Sequence, residues 1–236
     1  MTAWSSYSLE DFVLFSPRVY WRMFELQNAA AWPALLAGVA ALILMAGALS
    51  RPSRALRLAA FVALGAVWAW VGLSFLGERY AAINWAMAYV VPFFAAQCLL
   101  LVAAGFAGRA WLDLPGPTLR TGCGLLLIVY AVALHPFVAP LAGRPWQAAE
   151  LFGIAPDPTA MATIGFAVLT IPAAGAWVVC LVPVLWCLAS ALTLYALDAP
   201  EAAIPLAAAV VGILGCSARF GPPSYRSSSY RPPSAR

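Results

Sequence analysis

Glu78-Arg79-Tyr80, followed by Asn84 and Trp85, puts a carboxylate, a guanidinium, a phenol, an amide and an indole into one short stretch of a very oily chain. Tyr80 and Asn84 are spaced i, i+4, so one helical turn could present phenol and amide on a common face. The Glu78 carboxylate is expensive to bury unless paired, and Arg79 or Arg144 could pair with it. With Trp85, Arg144, Trp146 and Glu150, these residues would frame a pocket for a small polar or cationic ligand. The alternative is that they anchor helix ends at a membrane interface.

His135, the only histidine, stands before Pro136. It could relay a proton, or it could hydrogen-bond to backbone that the proline frees. One imidazole makes no zinc site without Cys or carboxylate partners, so no metal is expected. Glu150 and Asp157 share a loop rich in Pro and Gly and read as a solvated pair rather than an acid/base couple. Gln97, in the middle of an apolar segment, reads as an interhelical hydrogen bond. No Gly-rich phosphate loop, His-Glu-x-x-His or Gly-x-Ser-x-Gly elbow is present, so no cofactor is expected and an enzyme ranks below other readings.

These groups must be positioned by a chain that belongs to lipid. Of 236 residues, 64% are hydrophobic and 9% charged, with a mean hydropathy of +0.88; soluble domains are about 25% charged. All basic residues are arginine, which removes Schiff-base lysine chemistry. Four of them (Arg219, Arg226, Arg231, Arg236) lie in the C-terminal tail, where anionic lipid attracts them without any need for nucleic acid. The five cysteines fall in apolar segments and read as packing residues.

The expected fold is an all-α integral membrane protein of about seven transmembrane helices with an amphipathic N-terminal interfacial segment. Residues 1–28 form that leader, 29–216 the helical domain and 217–236 a disordered tail. In the leader, Ser8 and Asp11 could cap one short helix, and Ser16-Pro17 opens a second over Arg18 to Asn28. Spans are expected at about Ala29–Leu49, Leu58–Leu76, Ala82–Gly105 with a kink at Pro92, and Thr121–Val138. The apolar run Ala160–Leu197 is too long for one crossing and breaks at Pro172-Ala-Ala-Gly175, giving a fifth span before it and a sixth at Trp177–Leu197. Ala202–Cys216 is the seventh. Seven spans gather Arg51, Arg54, Arg57, Arg109, Arg120 and the tail arginines on one side, which the positive-inside rule makes cytoplasmic. The arrangement is then N-out, C-in, with plain arginine anchors inside and an acidic, aromatic outer face toward which any pocket opens.

Asn28-Ala-Ala-Ala-Trp32-Pro33, Trp68-Ala-Trp70-Val-Gly72 with Ala82-Ile83-Asn84, Gln97, Phe152-Gly153 with Pro156-Asp-Pro158-Thr159, and Val182-Pro183-Val-Leu-Trp186 form an ordered set. In these stretches the sequence resembles a bacterial family of multi-pass inner-membrane proteins known as domain of unknown function 6064. Some members carry His, His and Cys at positions that are Leu76, Arg144 and Asp157 here, so the resemblance implies no metal or thiol site for this chain. It implies a bacterial inner-membrane location and a fold, but no mechanism.

The leading reading is a permease-like or small-ligand-binding membrane protein with an outward-facing polar and aromatic pocket. Its partners would be the lipid bilayer and a small polar or cationic ligand, with no nucleic acid. The competing reading is a structural or assembly subunit that docks a membrane-protein partner or a second copy of itself through its Ala- and Gly-rich faces.

Overall fold

The computed structural model describes residues 15–51, 53–107 and 118–218. Most of the leader, including Ser8 and Asp11, the Arg109 and Asp113 loop, and the tail beyond Ala218 lie outside the described residues.

The first helix begins where its local signals put it. Ser16 accepts a hydrogen bond from the Val19 N–H at 3.4 Å, Pro17 supplies the first-turn proline, and α1 runs Pro17–Ala30. It buries Tyr20, Met23, Phe24 and Gln27, the i, i+3, i+4, i+7 stripe of a helix lying on a core. Gln27 anchors it by donating to Ser74 Oγ at 2.9 Å.

The helices α2 (Trp32–Ser50), α3 (Arg54–Trp70), α4 (Val91–Ala107), α5 (Leu119–Val129), α6 (Pro156–Thr170), α7 (Ala173–Ala196) and α8 (Ala203–Ser217) follow. No strand occurs among the described residues. α3 continues as a π-helix over Val71–Tyr80, whose wider winding brings Val71, Leu76 and Tyr80 to the inward face. α5 continues through a π turn, Tyr130–Leu134, and a 3₁₀ turn, His135–Phe137, to Leu141.

Six helical runs among the described residues are long and apolar enough to cross a membrane: Trp32–Ser50, Arg54–Ile83, Trp85–Ala107, Leu119–Leu141, Ala173–Ala196 and Pro200–Ser217. That is consistent with a membrane protein, and the count is six where the sequence suggested seven. The difference is α6. The break before α7 lies at Ile171 and Pro172, but α6 has 15 residues. At 1.5 Å per residue it is about 22 Å long, short of the roughly 30 Å hydrocarbon layer.

α6 is also unlike its neighbours in having no exposed face, since all of its residues are buried. It packs on α5, α7 and α8, with α3 reaching it through the bond from Trp68 Nε1 to Thr163 Oγ1 at 2.8 Å. Glycine permits the closest of these approaches: a Cβ on Gly165 would lie 2.6 Å from the Gly124 carbonyl oxygen on α5. At the far end, Arg120 opens α5 and is fully buried rather than the loop anchor its position suggested. Its Nε donates to Val168 O at 2.7 Å, its Nη1 to Ala218 O at 3.3 Å and its Nη2 to Ile171 O. Arg120 thus satisfies carbonyls that end α6 and α8, because a helix C-terminus in an apolar interior has no water to bond. α6 therefore runs antiparallel to α5.

Two prolines act differently from one another. Pro92, expected to kink a span, sits in the first turn of α4, where its missing N–H costs nothing. Pro183 is inside α7, and its missing N–H frees the Val179 carbonyl one turn earlier. Gln97 of α4 donates Nε2 to that oxygen at 2.9 Å, while its own Oε1 has no hydrogen-bond partner.

Candidate functional site

The π-helix ends at Tyr80 and swings its ring into an aromatic cluster with α1. Tyr80 lies 5.8 Å from both Phe15 and Tyr20, and 6.2 Å from Phe75, edge to face in each case, the geometry aromatic quadrupoles favour. Burial, and after it the neighbouring Tyr80, pushes the Tyr20 phenol well above its ordinary range, so Tyr20 stays neutral.

Beside this cluster is a cavity of about 240 Å³. Its principal walls are Tyr20, Tyr80, Phe94, Trp186, Ser190 and Thr193, and Thr193 Oγ1 donates to Ala189 O at 3.0 Å. Trp186, Ser190 and Thr193 follow one another at i, i+4 and i+7 on α7, so a single helix face supplies an indole and two hydroxyls. Phe93 and Leu185, which also line the cavity, are 59% and 54% exposed. The cavity therefore opens sideways, between α4 and α7.

Behind the α7 wall lies a buried polar layer. Asp157 in the first turn of α6 accepts from Trp186 Nε1 at 2.7 Å and from Ser190 Oγ at 2.6 Å. Both carboxylate oxygens serve as acceptors, the pattern of the ionised form. Glu150 is buried as well, its Oε2 3.6 Å from His135 Nε2. The solvated Glu150 and Asp157 pair read from the sequence is thus corrected: both acids are inside. Their loop is folded against the bundle because its backbone finds partners there. Asn28 Nδ2 donates to Gln147 O at 2.7 Å and Ala149 O at 2.8 Å, and Gly153 N–H donates to Thr159 Oγ1 at 2.9 Å. Gly153 has φ +81° and lies so close to Gly38 that a Cβ would be 3.0 Å from its Cα, a place where only glycine fits.

His135 is buried, with both ring nitrogens lacking a hydrogen-bond partner. The backbone bond suggested by Pro136 is not made. Instead the ring packs edge-on to Tyr130 at 5.8 Å. No group of three or more His, Cys, Asp and Glu among the described residues could hold a metal ion.

Of the candidate site residues read from the sequence, Tyr80 alone lines this cavity. Glu78 is exposed, and Arg79 is half-buried with an unpartnered Nε. Asn84 accepts from Ala86 N–H at 3.1 Å and caps a 3₁₀ turn, Trp85–Tyr89. Trp85 and Trp146 are exposed, against Tyr89 and Phe137 respectively. Arg144 pairs with Glu201 at 2.5 Å and stacks over Trp21 at 3.4 Å, so it does not reach Glu78.

A double-mutant cycle checks this assignment. Glu78→Gln should change thermal stability in detergent by no more than about 0.5 kcal/mol and should be additive with Arg144→Gln. Arg144→Gln and Glu201→Gln should each destabilise, while the double variant loses less than their sum. The reverse pattern would restore the Glu78 pairing.

Tyr20, Asp157, Trp186, Ser190 and Thr193 were not singled out in the sequence as members of a site. The signal available was the hydroxyl and indole face at i, i+4, i+7 within the apolar run of α7. A family model described as a family of unknown function matches residues 17–220. No curated protein and no solved structure matches.

Proposed function

The chain belongs to that family of unknown function, DUF6064, and on this premise we propose that it is a membrane protein that binds a small, largely apolar ligand drawn sideways from the lipid. The carrying observation is the cavity of about 240 Å³ between α4 and α7, apolar and aromatic with hydroxyls on one wall. Ligand sites have this make-up: an apolar lining with few placed polar groups. Exposed Phe93 and Leu185 at its mouth favour entry from the bilayer over entry from water.

In this reading the chain crosses the membrane seven times. α6 is shielded by its neighbours and returns the chain from the Glu150 side to the Arg120 side despite its length. The arginine bias then supports N-out, C-in in a bacterial inner membrane.

The test compares organic extracts of the purified protein with those of Ala189→Trp, which puts an indole into the cavity. Mass spectrometry should find a lipophilic molecule retained by the unaltered protein and lost from the variant. Identical extracts from two well-folded proteins would remove the ligand-binding reading.

A further inference from the structure

We propose that this cavity takes a lipophilic amine, its apolar body against the aromatic walls and its ammonium donating to Ser190 Oγ in front of Asp157. The inference rests on the ligand-binding reading above and adds the chemical class of the ligand.

Hydrogen-bond polarity comes first. The Ser190 hydroxyl proton is committed to Asp157 Oδ2 at 2.6 Å, so toward the cavity this oxygen offers only lone pairs. The Trp186 N–H is committed in the same way to Asp157 Oδ1, so this indole offers the cavity its ring and no donor. Thr193 donates its hydroxyl proton to Ala189 O at 3.0 Å, so the α7 wall asks for a donor from the ligand and has nothing there for a carboxylate or phosphate.

Charge points the same way. The ion pairs among the described residues are Arg22 with Glu25, His135 with Glu150, and Arg144 with Glu201, and Asp157 is in none of them. The titratable groups within electrostatic reach of Asp157 are Glu150, a like charge, His135, the phenols of Tyr20 and Tyr80 and the Cys187 thiol, and of these only His135 can be a cation. Two buried carboxylates thus face one imidazole, and a buried carboxylate without a cation is unfavourable. An ammonium one hydroxyl away would offset it. The remaining walls are also suited to a cation, because the ring faces of Tyr20, Tyr80, Phe94 and Trp186 attract positive charge, most strongly when it is desolvated. The long apolar side of the cavity, Val90, Phe93 and Val182, matches a hydrocarbon body.

The experiment uses the full chain in lipid nanodiscs with two probes of one shape, phenylbutylamine and phenylbutanol, titrated by calorimetry at neutral pH. The amine should bind at least about tenfold more tightly than the alcohol, a difference of about 1.4 kcal/mol. Asp157→Asn should cut amine affinity by about tenfold or more and leave the alcohol nearly unchanged. Ser190→Ala, which removes the cavity-facing acceptor and is the milder change to the fold, should weaken the amine in the same direction. Ala189→Trp should abolish both. If the alcohol binds as well as the amine, or if neither Asp157→Asn nor Ser190→Ala selectively weakens the amine, the ligand class is wrong while the cavity stands. If neither probe shows binding that Ala189→Trp removes, the ligand-binding reading falls with it.

Discussion

Gly165→Val should destabilise the protein by roughly 3 kcal/mol or more, because there is no direction in which the new side chain can go. A Cβ at Gly165 would stand 2.6 Å from Gly124 O, 2.8 Å from Ile128 Cγ1 and 3.2 Å from Ile128 N. Two of those atoms are backbone of α5 and can move only if the helix moves. The reciprocal position is as tight, since a Cβ on Gly124 would meet Leu169 Cγ at 2.6 Å and Gly165 O at 3.0 Å. The internal control is Gly122, on the same helix two residues earlier, where a Cβ would meet nothing within 4 Å. Gly122→Ala should leave stability unchanged or raise it by up to about 1 kcal/mol through helix propensity. Thermal unfolding in detergent checks both. Comparable losses at the two positions would mean that glycine matters there for backbone freedom rather than for the helix contact.

Arg120→Met should cost about 3 kcal/mol or more, although methionine matches much of the arginine stem. The loss comes from what the guanidinium leaves behind. Val168 O, Ile171 O and Ala218 O would all lose a charged donor, and each buried polar group left unsatisfied costs about 1–3 kcal/mol. Arg51→Met, at an exposed position after α2, serves as the comparison and should be nearly neutral. Near-equal melting temperatures for the two variants would show that the bonds to α6 and α8 are not worth more than surface contacts.

Much of the architecture is legible because its signals are local. Ser16-Pro17 starts α1, Pro172 ends one helix and begins another, and the long apolar runs mark the six candidate spans. What is local is also what misleads. Glu78 drew attention because charge is rare in this chain, yet it sits exposed on the last turns of a helix. Arg120 counted as one more cytoplasmic arginine, because composition does not separate an arginine that reaches headgroups from one that bonds buried carbonyls. Asp157 read as solvated because the residues that hold it, Trp186 and Ser190, are 29 and 33 residues away in sequence. The cavity was invisible for the same reason. It is assembled from α1, the π-helix, the turn before α4, α4 and α7. Of its lining residues Tyr80 alone stands in the stretch whose local chemistry marks a site, while the indole and hydroxyl face of α7 reads locally as part of an apolar span.

The enclosed position of α6 constrains the order in which the protein can be finished during synthesis. When its residues leave the ribosome, α2 to α5 already exist, but Trp186 and Ser190, which receive Asp157, and the Ala218 carbonyl that shares Arg120 have not been made. Until α7 and α8 arrive, the helix has an open flank, an acid without its donors and a length that does not match the bilayer. The helix with no exposed face is therefore among the last parts to become native. A chain that stops before α7 would carry α6 with one flank uncovered, and nascent chains halted there should be the forms that membrane quality control removes.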